Sequence, residues 1–412
     1  MRPRAILVFD EDAPIENGFF TGPAQPEPFY DEPTDRVFLA RRVDGSQDRE
    51  IDARYVNAIL TGAFETGGIG HELAFQLDYR DTRETRFFGL NPNSDGVELP
   101  LFDVFDPVYG TVEPTFARGF DTEAETLDRG VSVQDYVTLT DRLAVLAGLR
   151  LDVSDADGNG PLDDVDELSP QLAVRYALTE TIAAFASYSE AFVPNVQTVV
   201  DLDGNVSTSD PFPPEESDQL EVGLKGQFLE GRLNATAALY TIDKENVVLG
   251  RGPEAELIDG QSARGLELSV VGQPLPGANV IAGYAFTDAE LPDGNRPRNV
   301  AEHTFNLWSS YEVQGGPLTG LGVGAGVFHV GDRYGDNANR WELRGYTLVD
   351  ASIWYTVPYS LRGRDATRPT RIQLAGKNLT DETFFPASGF DNGQRINVGT
   401  PRAWFLSVST VL

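Results

Sequence analysis

No cysteine occurs in the 412 residues, which excludes disulfide frameworks, thiolate metal sites and thiol nucleophiles. Histidine is nearly as scarce. His71, His303 and His329 lie far apart in no metal-ligand spacing, so imidazole catalysis has no constellation to work with. There is a single methionine. Positive charge is also short: 32 Lys and Arg stand against 64 Asp and Glu, a formal net charge of −32. Such a surface repels nucleic acid, so no nucleic-acid partner is expected. No run approaches the roughly 18 apolar residues of a spanning helix. The opening, MRPRAILVFDEDAPIENG, turns acidic at Asp10 after only a short apolar stretch. An export signal needs about 7–15 apolar residues and a small-residue cleavage site, so no signal peptide is expected here. No cofactor motif is present either, and the chain is not expected to be an enzyme.

What the chain does have is glycine (41 residues), aromatics (10%) and alternation. In HELAFQLDYR, Leu73, Phe75, Leu77 and Tyr79 share one face and Glu72, Gln76, Asp78 and Arg80 the other. In DQLEVGLKGQF, Leu220, Val222 and Leu224 oppose Glu221, Lys225 and Gln227. TRIQLAGKN and RAWFLSVSTVL alternate in the same way. Period two is the signature of strands, and none of these runs has a helical period.

The connections carry more information than the strands. Short links at 65–70, 140–141, 179–180, 229–231, 272–278 and 314–319 alternate with long polar links. The long ones are 89–130, 153–169, 190–217, 244–262, 289–301, 331–344 and 380–401. In an up-and-down antiparallel sheet, alternate links lie at opposite ends. Tight turns at one end and long loops at the other mark an outer-membrane β-barrel. The expected fold is therefore an all-β, antiparallel up-and-down transmembrane barrel of about sixteen strands from residue 36 to the end, preceded at 1–35 by an irregular segment or the remnant of an external loop. A soluble propeller would show blade-length repeats, and a sandwich would not tolerate charged inner faces such as Glu221, Lys225 and Gln227.

Three local patterns invite other readings. DADGNGPLDDVDE places Asp155, Asp157 and Asn159 at the first, third and fifth positions of a calcium loop. Strands rather than helices flank it, so an acidic hairpin loop is the preferred reading and a weak calcium site the other. GLGVGAGVF alternates glycine at 322, 324 and 326. That gives a strand one smooth face for a close neighbour rather than a phosphate loop turning into a helix. Asn378-Leu379-Thr380 fits the N-glycosylation pattern, but Asn and Asp here read as turn formers that bond nearby backbone.

The segments SYSEAFVPN (187–195), SDQLEVGLKGQFLEGRLNATAALYTIDKENVV (217–248), ARGLELSVVG (263–272), HTFNLWSSYEV (303–313), AGKNLTDETFF (375–385) and GTPRAWFLSVSTVL (399–412) follow one another in order. Together they resemble the barrel of TonB-dependent siderophore receptors of the ferrichrome-receptor type, over residues 36–412. The resemblance implies a plugged barrel of about 22 strands, an outer-membrane location with lipid around it, and a ferric siderophore as ligand. It also implies TonB as energising partner through a plug region that this sequence does not display. As it stands the chain is expected to be a partial barrel unable to drive active uptake alone; a passive porin-like barrel or a non-functional remnant is the alternative. Ligand capture in the family uses aromatic residues on external loops, which makes Phe192, Tyr334, Trp341 and Phe390 the candidates here. Each has a plainer reading as an interface or loop-packing aromatic. An acidic exterior suits a neutral or cationic chelate, or a habitat whose salt screens the charge.

Overall fold

A computed structural model describes residues 29–31, 36–39, 47–90, 102–103, 118–158, 165–194, 199–200, 206–207, 212–249, 256–357, 370–388 and 396–410. Fifteen of its strands form one antiparallel sheet in strict sequence order. They are β1 Gln47–Thr66, β2 Ile69–Leu90, β3 Arg118–Thr138, β4 Leu143–Gly158 and β5 Val165–Ala177. Next come β6 Ile182–Val193, β7 Glu215–Phe228, β8 Leu233–Glu245, β9 Gln261–Gly272 and β10 Ala278–Glu290. The last are β11 His303–Glu312, β12 Leu321–Val330, β13 Tyr346–Val357, β14 Thr370–Lys377 and β15 Ala403–Thr410. Among the described residues the sheet has fifteen strands, in keeping with the about sixteen expected. Arg36–Leu39 does not join this sheet; it pairs with Phe29–Asp31 and Phe102–Asp103 in a small ladder of its own. Among the described residues β1 and β15 are not paired with each other.

The meander puts the links where the alternation places them. Turns 67–68, 139–142, 178–181, 229–232, 273–277 and 313–320 lie at one end, and the described links 291–302, 331–345, 378–388 and 396–402 at the other. Local chemistry explains the tight end. Gly67 and Gly68 take positive φ (60° and 87°) to close the first hairpin. LTDRL (139–143) and LTETI (178–182) build the same turn twice. In each, the threonine hydroxyl accepts from the backbone N–H two and three residues on, at 3.2 and 3.0 Å.

Register fixes the two faces. Phe75 sits opposite Leu60 and Val133, and Leu220 opposite Tyr188 and Thr241. Phe75, Leu77, Tyr79, Leu220, Val222 and Leu224 are all exposed on one face. Leu149, Leu172, Leu239, Leu268, Leu307, Ile353 and Leu374 continue the same band. This is the outward apolar belt of a membrane barrel, with Tyr79, Tyr188 and Phe305 at its external border. The opposite face is polar and internally paired. Asp78 accepts from Arg150 at 2.8 Å and from Asn57 at 2.5 Å, Arg150 also holds Asp152 at 2.5 Å, and Asp350 holds Lys377 at 2.6 Å. Glu221, Lys225 and Gln227 lie on this lumen face too.

The glycine stripe of β12 also faces the lumen, and two tryptophans lie on it. A Cβ at Gly322 would overlap the Trp354 ring, and one at Gly324 or Gly326 the Trp308 ring. The seated Trp354 donates to Glu312 at 2.7 Å and carries the Arg371 guanidinium 4.3 Å above its ring.

Candidate ligand mouth at the external rim

β1 to β4 rise past the apolar belt. Beyond Tyr79 the outward positions of β2 are Asp81 and Arg83, and Arg83 pairs with Glu123 at 2.5 Å and Glu125 at 3.0 Å on β3. A span of the bilayer takes about 9–11 residues, so the 20, 22 and 21 residues of β1, β2 and β3 stand well above it. The strands continue where links were expected at 89–130 and 153–169, because polar alternation marks the end of the lipid, not the end of the ladder.

The external ends of β5 to β8 enclose a cleft of about 240 Å³ lined by Tyr188, Glu190, Phe192, Glu216, Asp218, Asp243 and Glu245, among others. Phe192 faces Glu216 and shares parity with Tyr188, so it lies on the outer wall rather than towards the lumen. The calcium-loop residues are drawn out, not curled. Asp155 and Asp157 both lie in β4, and Asp155 is paired with Arg129. Asn159 and Phe390 lie outside the described residues.

The links 291–302, 331–345 and 378–388, beyond β10, β12 and β14, bond to one another at the rim. Asn299, Asn339 and Asn378 all take positive φ (65°, 52° and 50°), a region Asn enters more readily than most residues. Each uses its carboxamide to bracket the N–H and C=O of one other residue. Asn299 accepts from Ser388 N–H at 2.8 Å and donates to its carbonyl at 3.0 Å. Asn339 treats Arg296 the same way at 2.9 and 2.8 Å, and Asn378 treats Glu382 at 2.8 Å in both directions. Asn378 is buried, and its amide nitrogen also reaches Thr400 at 3.1 Å; the glycosylation-like triplet is thus a loop lock.

Arg333 is buried beside this network. It donates to the Phe385 carbonyl and lies 5.3 Å from the Tyr346 ring, whose own centroid is 4.4 Å from Phe384. Burial pushes the Arg333 guanidinium pKa below its ordinary value, whereas a hydrogen bond to Glu302 raises that of Arg296. Tyr334 and Trp341 belong to the same link. The Trp341 ring lies against Gly335, where a Cβ would overlap it. The structure therefore brings Tyr334 and Trp341 together at the mouth and leaves Phe192 apart from them.

The family model described as TonB dependent receptor-like, beta-barrel, matches residues 15–379. The chain belongs to that family. It is 28% identical over 369 residues to the ferrichrome outer membrane transporter/phage receptor of Escherichia coli K12, covering 84% of this chain and 46% of that protein. It is 29% identical over 367 residues to the ferrioxamine B receptor of Salmonella typhimurium, covering 85% and 49%. The chain thus spans about half the length of these curated relatives. Among solved structures, it matches the ferric preacinetobactin receptor of Acinetobacter baumannii with a TM-score of 0.73 at 20% identity, covering 91% of this chain and 56% of that one. The ferric-catecholate import receptor of E. coli K12 gives 0.71 at 23%, covering 90% and 59%. At these identities the structures establish the barrel fold alone.

For a TonB-dependent receptor barrel, the motif order in the sequence pointed to the family but not to the asparagine brackets. Their only local trace is Asn beside a basic residue, in RNV, DNANR and KNLTD.

Proposed function

We propose that this chain is the barrel part of an outer-membrane receptor that takes up a ferric siderophore, with TonB supplying the energy through a plug region of the same receptor. One observation carries the reading: 84–85% of the chain aligns with receptors whose names specify ferrichrome and ferrioxamine B. The geometry is compatible with it. The lumen wall is polar, the outer wall is apolar, and the described links 291–302, 331–345 and 378–388 lie at one rim. Residues 36–412 are assigned to the barrel, and Tyr334 and Trp341 to the ligand-facing side of the mouth. Phe192 takes the interface position its outward face gives it. The acidic exterior favours a chelate of neutral or positive charge. No catalytic step belongs to this reading.

The test expresses the gene in its native reading frame, with whatever coding sequence adjoins it, in a strain stripped of siderophore receptors. Uptake of radiolabelled iron as the ferrichrome and ferrioxamine B chelates is then followed with and without TonB. Accumulation that disappears without TonB is expected. Uptake that simply follows the external concentration and ignores TonB refutes the receptor and leaves a passive pore.

A further inference from the structure

The links 291–302, 331–345 and 378–388 are bonded in a closed triangle. From the first to the second, Asn299 N–H donates to the Tyr334 carbonyl at 2.8 Å and Arg298 N–H to Asn337 Oδ1 at 2.9 Å, beside the Asn339 bracket on Arg296. From the first to the third runs the Asn299 bracket on Ser388. From the third back to the second, the Ser388 hydroxyl donates to the Gly335 carbonyl at 2.5 Å, and Arg333 reaches the Phe385 carbonyl. The junctions are buried. Ser388 and Leu343 are each 4% exposed and Asp336, which accepts from Arg340 N–H and Nε at 2.8 and 2.6 Å, is 0% exposed. Displacing any one link breaks bonds to both of the others, and in a buried setting an unmatched backbone group is costly.

We infer that these three links form one cooperative body held by its own bonds, a preformed wall of the mouth with Asn299 and Ser388 as its keys. The inference rests on the bonding alone and not on the identity of the ligand. Its consequence is that Tyr334 and Trp341 are held in place in advance, so a ligand meeting them does not have to order this wall. Such a body opens as a unit, and its amides report a shared opening free energy.

Hydrogen–deuterium exchange on the protein expressed in its native reading frame with whatever coding sequence adjoins it, in detergent micelles and with no chelate added, tests this. The amides of Arg296, Arg298, Asn299 and Ser388 are expected to show protection factors within about threefold of one another, because one opening event governs them. Asn299→Asp replaces the donor facing the Ser388 carbonyl with an oxygen. It is expected to raise exchange about tenfold in all three links, including Gly335, whose N–H bonds Trp341 O at 3.0 Å. Should that variant not fold, Ser388→Ala removes only the hydroxyl bridge and is expected to speed Gly335 and Asn299 together severalfold. Acceleration confined to the mutated link, or unprotected amides at these positions in the unaltered chain, overturns the inference.

Discussion

Replacing Asn378 by glycine, alanine and aspartate separates the contributions that hold the last external link. Its side chain makes three hydrogen bonds, two with Glu382 at 2.8 Å and one with Thr400 at 3.1 Å, from a buried position at φ 50°. Glu382 N–H can only donate and its carbonyl can only accept, so the amide orientation follows from the network. At about 1 kcal/mol per bond, glycine loses about 3 kcal/mol locally and is at ease in the left-handed region. Alanine loses the same bonds and adds about 1 kcal/mol of backbone strain. Aspartate keeps the bond from Glu382 N–H but turns a carboxylate towards two carbonyls. Burial and those oxygens raise its folded-state pKa above the unfolded value. Its stability is therefore retained at low pH and lost as pH rises through the folded pKa. The assay is the protection factor of the Glu382 amide. Glycine lowers it about a hundredfold, since 1.4 kcal/mol is tenfold, and alanine lowers it several-fold more. Aspartate falls with them at neutral pH and recovers on acidification. Equal protection in the glycine and alanine variants, or an aspartate variant indifferent to pH, refutes the reasoning.

Other parts of the fold give sharper yes-or-no outcomes. Val222→Arg places a charge in the outward belt and costs about 2–4 kcal/mol at mid-membrane, whereas Glu221→Arg on the lumen face is tolerated; the folded fraction recovered in lipid vesicles distinguishes them. Gly322→Ala unseats Trp354 and breaks its bond to Glu312, which is read as a red shift of tryptophan emission that Gly315→Ala, in open space, does not produce. In a chain without native thiols, Leu60→Cys with Leu406→Cys forms no disulfide, within or between chains; a bond inside one chain would mean that β1 and β15 meet.

The legible part of the sequence was the part governed by lipid. Leu73 to Tyr79 and Leu220 to Leu224 alternate because one side meets hydrocarbon and the other the lumen, so period two and face could both be read. Above the belt that contrast disappears. Residues 118–130 (RGFDTEAETLDRG) are polar on both faces and read as loop, yet they complete β3. The same mistake of length hid the side on which Phe192 lies: once β6 runs to Val193, Phe192 has the parity of Tyr188. The brackets were out of reach for another reason. Asn339 meets Arg296 across 43 residues and Asn299 meets Ser388 across 89, and no local pattern states which backbone amide a distant asparagine will find. Asn378 was the exception because its partner Glu382 is four residues away.

The edges of the sheet bear on what kind of barrel this arc belongs to. β1 and β15 both run from the loop rim towards the turn rim, since an even number of reversals separates them. A direct ladder between them would be parallel, in a sheet that is otherwise antiparallel throughout, and would set 20 residues against 8. A second copy inserted the same way up would offer the same parallel pairing. Two strands of the same direction are bridged in antiparallel fashion only by an odd number of further strands. Curvature argues likewise: the arc superposes on receptors of which it covers only 52–59%, with 90–91% of its own length matched. An arc bent to the radius of a larger barrel cannot bring its own ends together. Leu60 and Leu406, each 73% exposed, stand on strands whose outer N–H and C=O groups need partners, because lipid offers none and each unmet group costs several kcal/mol. Strands rising from the turn rim on both sides satisfy both edges at once, and they leave the asparagine-locked wall and the glycine-seated tryptophans where the present sheet already holds them.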